Sequence, residues 1–192
     1  FAGKAGVADF RKKLTEYVAG IKTKAFNSKT AARIVLVSPI ANENIKGVKA
    51  ADLNNPDIKL YTAVIEQVAS AQDVGYANTY SATEAAMTSP GDDLTINGVH
   101  LNARGYETFS GALFRQVLGA KPPEVNEALR QAIIEKNRQF FYRYRPVNTF
   151  YYTGGRNRSY GYLDFLPAMR NFDIMVANRD KRIWDLAQGK KV

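Results

Sequence analysis

His100 is the only histidine of the chain, and it lies in the stretch from Leu94 to Tyr106, between a turn signal and the start of a predicted helix. Histidine is the most frequent general base in enzymes, because imidazole gains and loses its proton near neutral pH. A loop directly before a helix holds the backbone in place while the ring reaches a cleft. His100 is therefore the first candidate for acid–base chemistry.

The same residues also fit an ordinary connecting loop. Asn97-Gly98 is a common turn pair, since both residue types tolerate a positive φ. Asn102 is a good N-cap for the helix that follows. On spacing alone we favour the connecting loop, so the neighbouring elements must decide between the two interpretations.

The composition excludes several kinds of site. The chain has no cysteine and one histidine, which excludes disulfides, thiolate metal sites, a cysteine nucleophile and a zinc site built from several histidines. Any chemistry must use oxygen and nitrogen groups, and we expect no cofactor. No apolar run approaches the roughly 20 residues that span a bilayer, and the first residues do not form a signal peptide. Because the chain begins with Phe1, we expect a processed product or part of something longer.

The apolar pattern predicts five helices and two strands. Apolar residues at three- and four-residue steps predict the helices, of which the second opens at Asn55-Pro56 and ends at Gly75. A continuous apolar run before Pro39 fits a central strand covered on both faces of a parallel sheet. The helices are predicted at residues 7–25, 55–75, 102–118, 124–144 and 167–189, and the strands at residues 32–37 and 76–80.

This alternation predicts an α/β layered fold with helices on both faces of a mostly parallel sheet. Two parallel strands alone would leave both sheet edges unpaired. We therefore expect further strands upstream of Phe1. Gly119 and Pro122-Pro123 mark a boundary near residue 120, which separates residues 1–120 from a mainly helical extension at residues 121–192.

The extension is rich in aromatic and arginine residues. The formal net charge is +9, yet residues 136–163 alone carry six basic and no acidic side chains. Such a segment can stack on sugars, bind single-stranded nucleic acid, form a protein interface, or simply pack its rings on the core. Because no RNP, helix-turn-helix or OB-like pattern accompanies the charge, we expect no nucleic-acid partner. The aromatic residues are Phe140, Phe141, Tyr142, Tyr144, Phe150, Tyr151, Tyr152, Tyr160 and Tyr162.

With these elements placed, residues 97–101 followed by Gly105-Tyr106 and a helix resemble the last conserved block of the SGNH (GDSL-type) esterases. Residues 34–39 and 76–80 resemble the strands that flank that family's variable loop and precede its histidine. The resemblance covers residues 1–118. It implies a flavodoxin-like three-layer fold, incomplete at its N-terminus, and ester hydrolysis by a serine nucleophile, with His100 as base and Asn97 in the position of the carboxylate that orients it.

The sequence departs from that family in two ways. Asn97 replaces a carboxylate, although an amide oxygen can still accept the ring N–H, and Asp92 or Asp93 could substitute for it. No Gly-Asp-Ser block is present, nor are the blocks that supply the oxyanion glycine and asparagine. The remaining serines look like cap or loop hydroxyls rather than nucleophiles. They are Ser38, Ser81, Ser89 and Ser110.

Two functional hypotheses follow. One is an ester hydrolase acting, in its intact form, on small-molecule or glycan O-acyl esters, with the missing N-terminal segment supplying the nucleophile. The other is a non-catalytic SGNH-like binding or structural module of a larger assembly. Residues 135–137, 144–146 and 177–180 resemble C-terminal extensions of SGNH domains in large exported bacterial proteins, which implies an extracytoplasmic, periplasmic or secreted setting.

Overall fold

The computed structural model describes residues 2–145, 154–158 and 165–191. They form two compact units, Phe1–Pro122 and Pro123–Val192. The division follows Gly119, whose φ of +65° ends a helix in the left-handed conformation that glycine adopts at low cost. The described chain is mostly helical, with a small amount of sheet.

The first unit contains four α-helices and four short strands among its described residues. A 3₁₀ turn at Gly3–Gly6 leads into the first helix. The helices are α1 (Val7–Lys22), α2 (Ala50–Ala71), α3 (Thr79–Thr88) and α4 (Ala103–Leu118), and the strands are β1 (Val35–Val37), β2 (Asn44–Ile45), β3 (Val48–Lys49) and β4 (Gly75–Ala77).

Strands β1 and β4 form a parallel pair, and β2 and β3 form a short antiparallel hairpin. The register pairs Leu36 with Tyr76. Leu36 packs against the apolar cluster that joins the first two helices, which is built on Val18, Val64 and Val68. The amphipathic stripes of α1 and α2 therefore cover one face of the sheet, as their periodicity predicts.

The prediction that β1 is covered on both faces is wrong for the described residues. Val35 and Val37 are 39% and 40% exposed. β4 pairs with one edge of β1, and no described strand pairs with the other. β1 thus carries more apolar side-chain surface than the described elements bury.

The predicted start of the second helix is also wrong. α2 begins at Ala50, and Pro56 lies inside it. Its first turn is capped from a distance, because Asn44 Oδ1 accepts hydrogen bonds from the backbone N–H groups of Ala51 and Asp52. A cap that comes from the β2 strand leaves no local start signal at residue 50.

The region predicted as one strand, residues 76–80, contains the end of β4 and the start of α3. Gly75 does not end α2 but opens β4, where a Cβ would lie 2.9 Å from Val35 Cγ2. Asn78 then caps α3, since its Oδ1 accepts from the Ser81 N–H at 2.9 Å. The cap residue was available in the sequence, but the short apolar run favoured a strand.

Helix α4 matches its prediction closely. Asn102 is the N-cap, with Oδ1 accepting from the Gly105 N–H at 3.0 Å. Gly105 lets the helix approach the chain before it, because a Cβ there would lie 2.1 Å from the Leu94 carbonyl oxygen. The start of α4 is therefore fixed against the segment that carries His100.

The second unit contains helices α5 (Glu127–Tyr144) and α6 (Leu166–Ala187), with a 3₁₀ turn at Gly155–Arg158. Asn126 caps α5, so the helix starts slightly later than predicted. Several residues of the predicted aromatic arm lie outside the described residues. These are Phe150, Tyr151, Tyr152, Tyr160 and Tyr162.

In the described parts of both units, no helix combines the length and apolarity that crossing a bilayer would require.

Two glycines of α4 test the close approach to Leu94. We expect Gly105→Ala to lower the free energy of unfolding by about 1–3 kcal/mol, because the new methyl group would overlap a backbone oxygen. Gly111→Ala is the matched control, since only the Arg115 side chain lies nearby, at 3.6 Å. It should leave stability unchanged or raise it by up to about 1 kcal/mol. Urea unfolding of both variants measures the difference, and equal effects would contradict the prediction.

Candidate functional site

His100 lies at the exposed end of a tight loop between Leu94 and Asn102. Thr95 and Leu101 form an isolated antiparallel bridge. Two backbone bonds of 2.9 Å close the loop, one from the Ile96 N–H to the His100 carbonyl and one from the Asn102 N–H to the Leu94 carbonyl. The backbone on both sides of the ring is thus tied in place.

The loop brings the two predicted site residues together. His100 Nδ1 lies 3.1 Å from Asn97 Oδ1. An amide oxygen can only accept, so this contact places the proton of the neutral ring on Nδ1 and leaves the Nε2 lone pair free. A neutral imidazole with a free Nε2 is the form that a general base requires.

Asn97 also shapes the turn. Its Oδ1 accepts hydrogen bonds from the backbone N–H groups of Val99, at 3.2 Å, and His100, at 2.9 Å. This is the Asx-turn arrangement that favours asparagine or aspartate at such positions. The same oxygen therefore holds both the backbone and the ring.

One of the two alternative carboxylates, that of Asp92, has another partner. Asp92 forms an ion pair with Arg104 at the start of α4. The backbone carbonyl of Asp93 accepts a hydrogen bond from Asn102 Nδ2 at 2.7 Å. No described contact joins either aspartate to His100, and Asn97 is the ring's described partner.

Glu43 is the residue that sequence analysis missed. It is 5% exposed, and its carboxylate accepts from the Leu94 N–H at 3.0 Å, the Thr95 N–H at 2.8 Å and the Thr95 hydroxyl at 2.6 Å. Its own N–H donates to the Gly98 carbonyl at 2.8 Å. One buried side chain thus anchors the segment that enters the histidine loop, while its backbone N–H holds the turn.

No described cation forms a salt bridge with Glu43, and its carboxylate is held by hydrogen bonds from Leu94 and Thr95. Charge-assisted bonds to backbone N–H groups are about twice as strong as neutral ones. Little in the sequence pointed to this role, because Glu43 lies in a polar stretch that is typical of an irregular loop. Its importance comes from a tertiary contact 51 residues away.

Gly98 lets the turn pack closely against the start of α2 and the backbone just before β2. Its φ is +83°, and a Cβ there would lie 2.8 Å from both Ala50 Cβ and the Glu43 carbonyl oxygen. Only glycine satisfies the backbone angle and the close packing together. The predicted Asn97-Gly98 turn pair therefore has a structural reason for each residue.

Asparagines organise the loop that leads to Glu43. The backbone N–H of Asn42 donates to Asn55 Oδ1 at 2.8 Å, and Asn55 Nδ2 returns a bond to the Asn42 carbonyl at 3.0 Å. Asn54 Nδ2 donates to Asn42 Oδ1 at 2.8 Å. The loop between β1 and β2 is thus tied to α2, which holds Glu43 in position.

Three of the four serine hydroxyls have described hydrogen bonds to backbone groups, and Ser110 lies within α4 rather than in a cap or loop. Ser38 is buried, and its Oγ accepts from the Tyr80 N–H at 2.8 Å. Burial raises the pKa of the Tyr80 phenol, and so does the hydrogen bond that its hydroxyl donates to Glu84. The phenol therefore remains a donor. Ser89 and Ser110 donate to carbonyl oxygens within their own helical turns. None of these three hydroxyls contacts His100 in the described structure.

Among the described residues, no group of three or more histidine, aspartate or glutamate side chains could hold a metal ion. Comparisons of the chain with protein-family models, with curated proteins and with solved structures find no match.

Removing the charge of Glu43 tests its role as the anchor. Glu43→Gln replaces one accepting oxygen with an NH₂ group that would face backbone donors. We expect the free energy of unfolding to fall by about 2 kcal/mol or more. Glu16→Gln is the matched control, since Glu16 is 65% exposed in a surface pair and should change stability by less than about 0.5 kcal/mol. Equal losses in chemical denaturation would show that Glu43 is not an anchor.

Proposed function

We propose that this chain carries the histidine half of the active site of an SGNH-type serine ester hydrolase with a flavodoxin-like fold. The observation that carries the proposal is the 3.1 Å contact between His100 Nδ1 and Asn97 Oδ1. It supports a base whose Nε2 is free to take a proton. The substrates would be O-acyl esters, including those of carbohydrates, in an extracytoplasmic setting.

In this mechanism, His100 Nε2 removes the proton of a serine hydroxyl as the serine oxygen attacks the acyl carbonyl. The protonated ring then gives that proton to the departing alcohol oxygen as the ester bond breaks. A water molecule, activated by the same nitrogen, later releases the acyl group from the serine. Asn97 is a positioning residue, which fixes the ring's tautomer and orientation throughout.

The amide of Asn97 sets a limit on this chemistry. A carboxylate would stabilise the imidazolium that forms during attack by its charge, whereas an amide oxygen contributes only a dipole. We therefore expect slower catalysis than in a site with aspartate at the same position.

The nucleophile would come from a segment outside the printed sequence. The edge of β1 that no described strand pairs supports a further parallel strand at this position, and the exposed Val35 and Val37 mark a face of the sheet that such a segment would help to cover. The described serine hydroxyls that bond to carbonyls and backbone N–H groups are not poised for attack. The site would thus be completed across the edge of the sheet.

The second candidate is a non-catalytic SGNH-like module that serves a larger assembly. It is favoured by the two hydrogen bonds that Asn97 Oδ1 already accepts from backbone N–H groups. Those bonds give the residue a complete structural role without any chemistry.

The native polypeptide separates these candidates. Intact-mass analysis and sequencing should find a Gly-Asp-Ser segment upstream of Phe1. In that polypeptide, His100→Ala should lower acetyl-ester hydrolysis by about 10²–10⁴-fold, because the general base is lost. Ser110→Ala, at an exposed helical hydroxyl, is the control and should leave activity unchanged. An unchanged rate in His100→Ala would reject His100 as the base.

Exchanges at Asn97 test whether it acts through the ring. Asn97→Asp keeps an oxygen that can accept from both turn N–H groups and adds charge, so we expect a higher kcat and an acid limb of the pH–rate profile that moves to higher pH. Asn97→Ala should lower kcat. If the pH–rate profiles of both variants match that of the parent protein, Asn97 has a structural role only.

A further inference from the structure

The connection between α1 and β1 presents a phenylalanine to solvent. Every residue from 22 to 33 is exposed, and we call this stretch the Phe26 loop. Phe26 lies near its middle and is 72% exposed. A single exposed phenylalanine is common on protein surfaces and needs no explanation by itself. The residues around this one, however, point to a ligand.

Hydrogen bonds within the loop hold the segment beside the ring. Asn27 Oδ1 accepts from the backbone N–H groups of Lys29, at 3.0 Å, and Thr30, at 2.9 Å. Asn27 Nδ2 donates to Thr30 Oγ1 at 3.0 Å. This Asx turn directly follows Phe26, so the ring extends from an ordered turn.

The Phe26 loop is strongly basic. Lys24 and Lys29 lie on either side of Phe26 in the sequence, and Arg33 follows before β1. With Lys22, the loop has four basic and no acidic side chains. Among the described side chains, no acidic one pairs with Lys24, Lys29 or Arg33. These three charges are therefore available to a ligand.

The neighbouring turn, between α2 and β4, removes little of this charge. Lys22 Nζ donates to the Gln72 carbonyl, so that turn adjoins the end of α1. It contributes one acidic residue, Asp73, which is exposed. One acid against four bases leaves a positive excess around Phe26.

A cavity beside the ring offers donors for an anion. Its volume is about 490 Å³, and it is lined by Phe26, Asn27, Thr30, Ala31, Ala32 and Arg33. An arginine guanidinium binds phosphate through two parallel N–H groups. The Thr30 hydroxyl accepts from Asn27 Nδ2 and keeps its own proton for donation. The cavity thus combines two kinds of anion donor with an apolar wall.

We propose that the Phe26 loop docks the chain on the surface of a bilayer that contains anionic phospholipids. The ring enters the boundary between headgroups and acyl chains, while Arg33 and Thr30 bind a lipid phosphate. Lys24 and Lys29 contact neighbouring anionic headgroups. Insertion of an apolar group and attraction by a basic cluster are separate contributions, and stable peripheral attachment generally combines two such contributions.

Other partners fit this surface less well. A specific protein interface buries about 800 Å² on each side, whereas the loop offers one large apolar side chain. Single-stranded nucleic acid stacks its successive bases on several aromatic rings, and the loop has one ring. A bilayer requires neither a large complementary shape nor a row of rings. It requires apolar insertion beside positive charge.

Paired charge changes give a matched test in the full chain. Vesicles of phosphatidylcholine and phosphatidylglycerol, sedimented with the protein, should bind it more tightly than vesicles of phosphatidylcholine alone. Lys24→Gln with Lys29→Gln should weaken binding to the mixed vesicles at least tenfold, because each basic residue near an anionic surface contributes about fivefold. Equal binding of the parent chain to the two kinds of vesicle would overturn the proposal.

The control removes the same charge elsewhere. Lys12 and Lys13 pair with acids on the surface of α1, and Lys13 lies about 13 Å before Lys22 along the helix. This distance exceeds the Debye length of about 8 Å at physiological salt. Lys12→Gln with Lys13→Gln should therefore change binding less than about threefold. Equal losses in the two double variants would contradict docking through the loop.

The ring is tested separately from the charge. Phe26→Ser should weaken binding to the mixed vesicles at least fivefold, since the apolar insertion is lost. Tyr106→Ser, which removes a ring that is 61% exposed on α4, should leave binding unchanged. Equal effects of the two changes would show that Phe26 does not enter the bilayer.

Fluorescence reports the insertion directly. The chain has one tryptophan, Trp184, so Phe26→Trp combined with Trp184→Phe leaves a single indole in the loop. Its emission should shift to shorter wavelength on the mixed vesicles and be quenched by lipids with brominated acyl chains. An indole that the vesicles leave unchanged would overturn the proposal, and so would a parent chain that binds single-stranded RNA but not the mixed vesicles.

Discussion

The first unit depends on a buried negative charge that is held by backbone N–H groups. The carboxylate of Glu43 accepts hydrogen bonds from the N–H groups of Leu94 and Thr95, and the backbone N–H of Glu43 donates to the Gly98 carbonyl. A buried carboxylate is costly unless its oxygens are satisfied, so the buried residue and the loop that satisfies it depend on each other. The position of His100 is therefore a consequence of packing two loops around one charge.

This arrangement makes the histidine loop rigid on one side and open on the other. The buried side consists of Thr95 and Gly98, which contact Glu43 and α2. The ring and its amide partner lie on the exposed side. A rigid backbone with an accessible side chain is the condition under which a base can be held in one tautomer and still meet a substrate.

The sequence predicts whatever depends on neighbouring residues. The stripes of α1, α4 and α5 follow from periodicity, and the contact between Asn97 and His100 was expected only from the resemblance to the SGNH block. Features that depend on distant residues were missed, such as the start of α2, which Asn44 caps, and the anchor Glu43. α3 was missed because a short apolar run fits a strand or a helix equally well. The burial of β1 was overestimated. An apolar sequence shows that a strand can be buried, but it does not show which neighbouring elements are present to cover it.

The Asn97-Gly98 pair also bears on how the protein ages chemically. In flexible chains, the backbone nitrogen after an asparagine attacks the side-chain carbonyl most readily when glycine follows; ammonia leaves, and water opens the resulting cyclic imide to aspartate or isoaspartate. Here the Gly98 N–H donates to Thr95 Oγ1 at 3.0 Å, and Asn97 Oδ1 accepts from two backbone groups. Ring closure requires this turn to open, so the hydrogen bonds that begin at Glu43 preserve the amide. A molecule that loses them gains aspartate or isoaspartate beside its only histidine, and with it a chemically distinct form of the site.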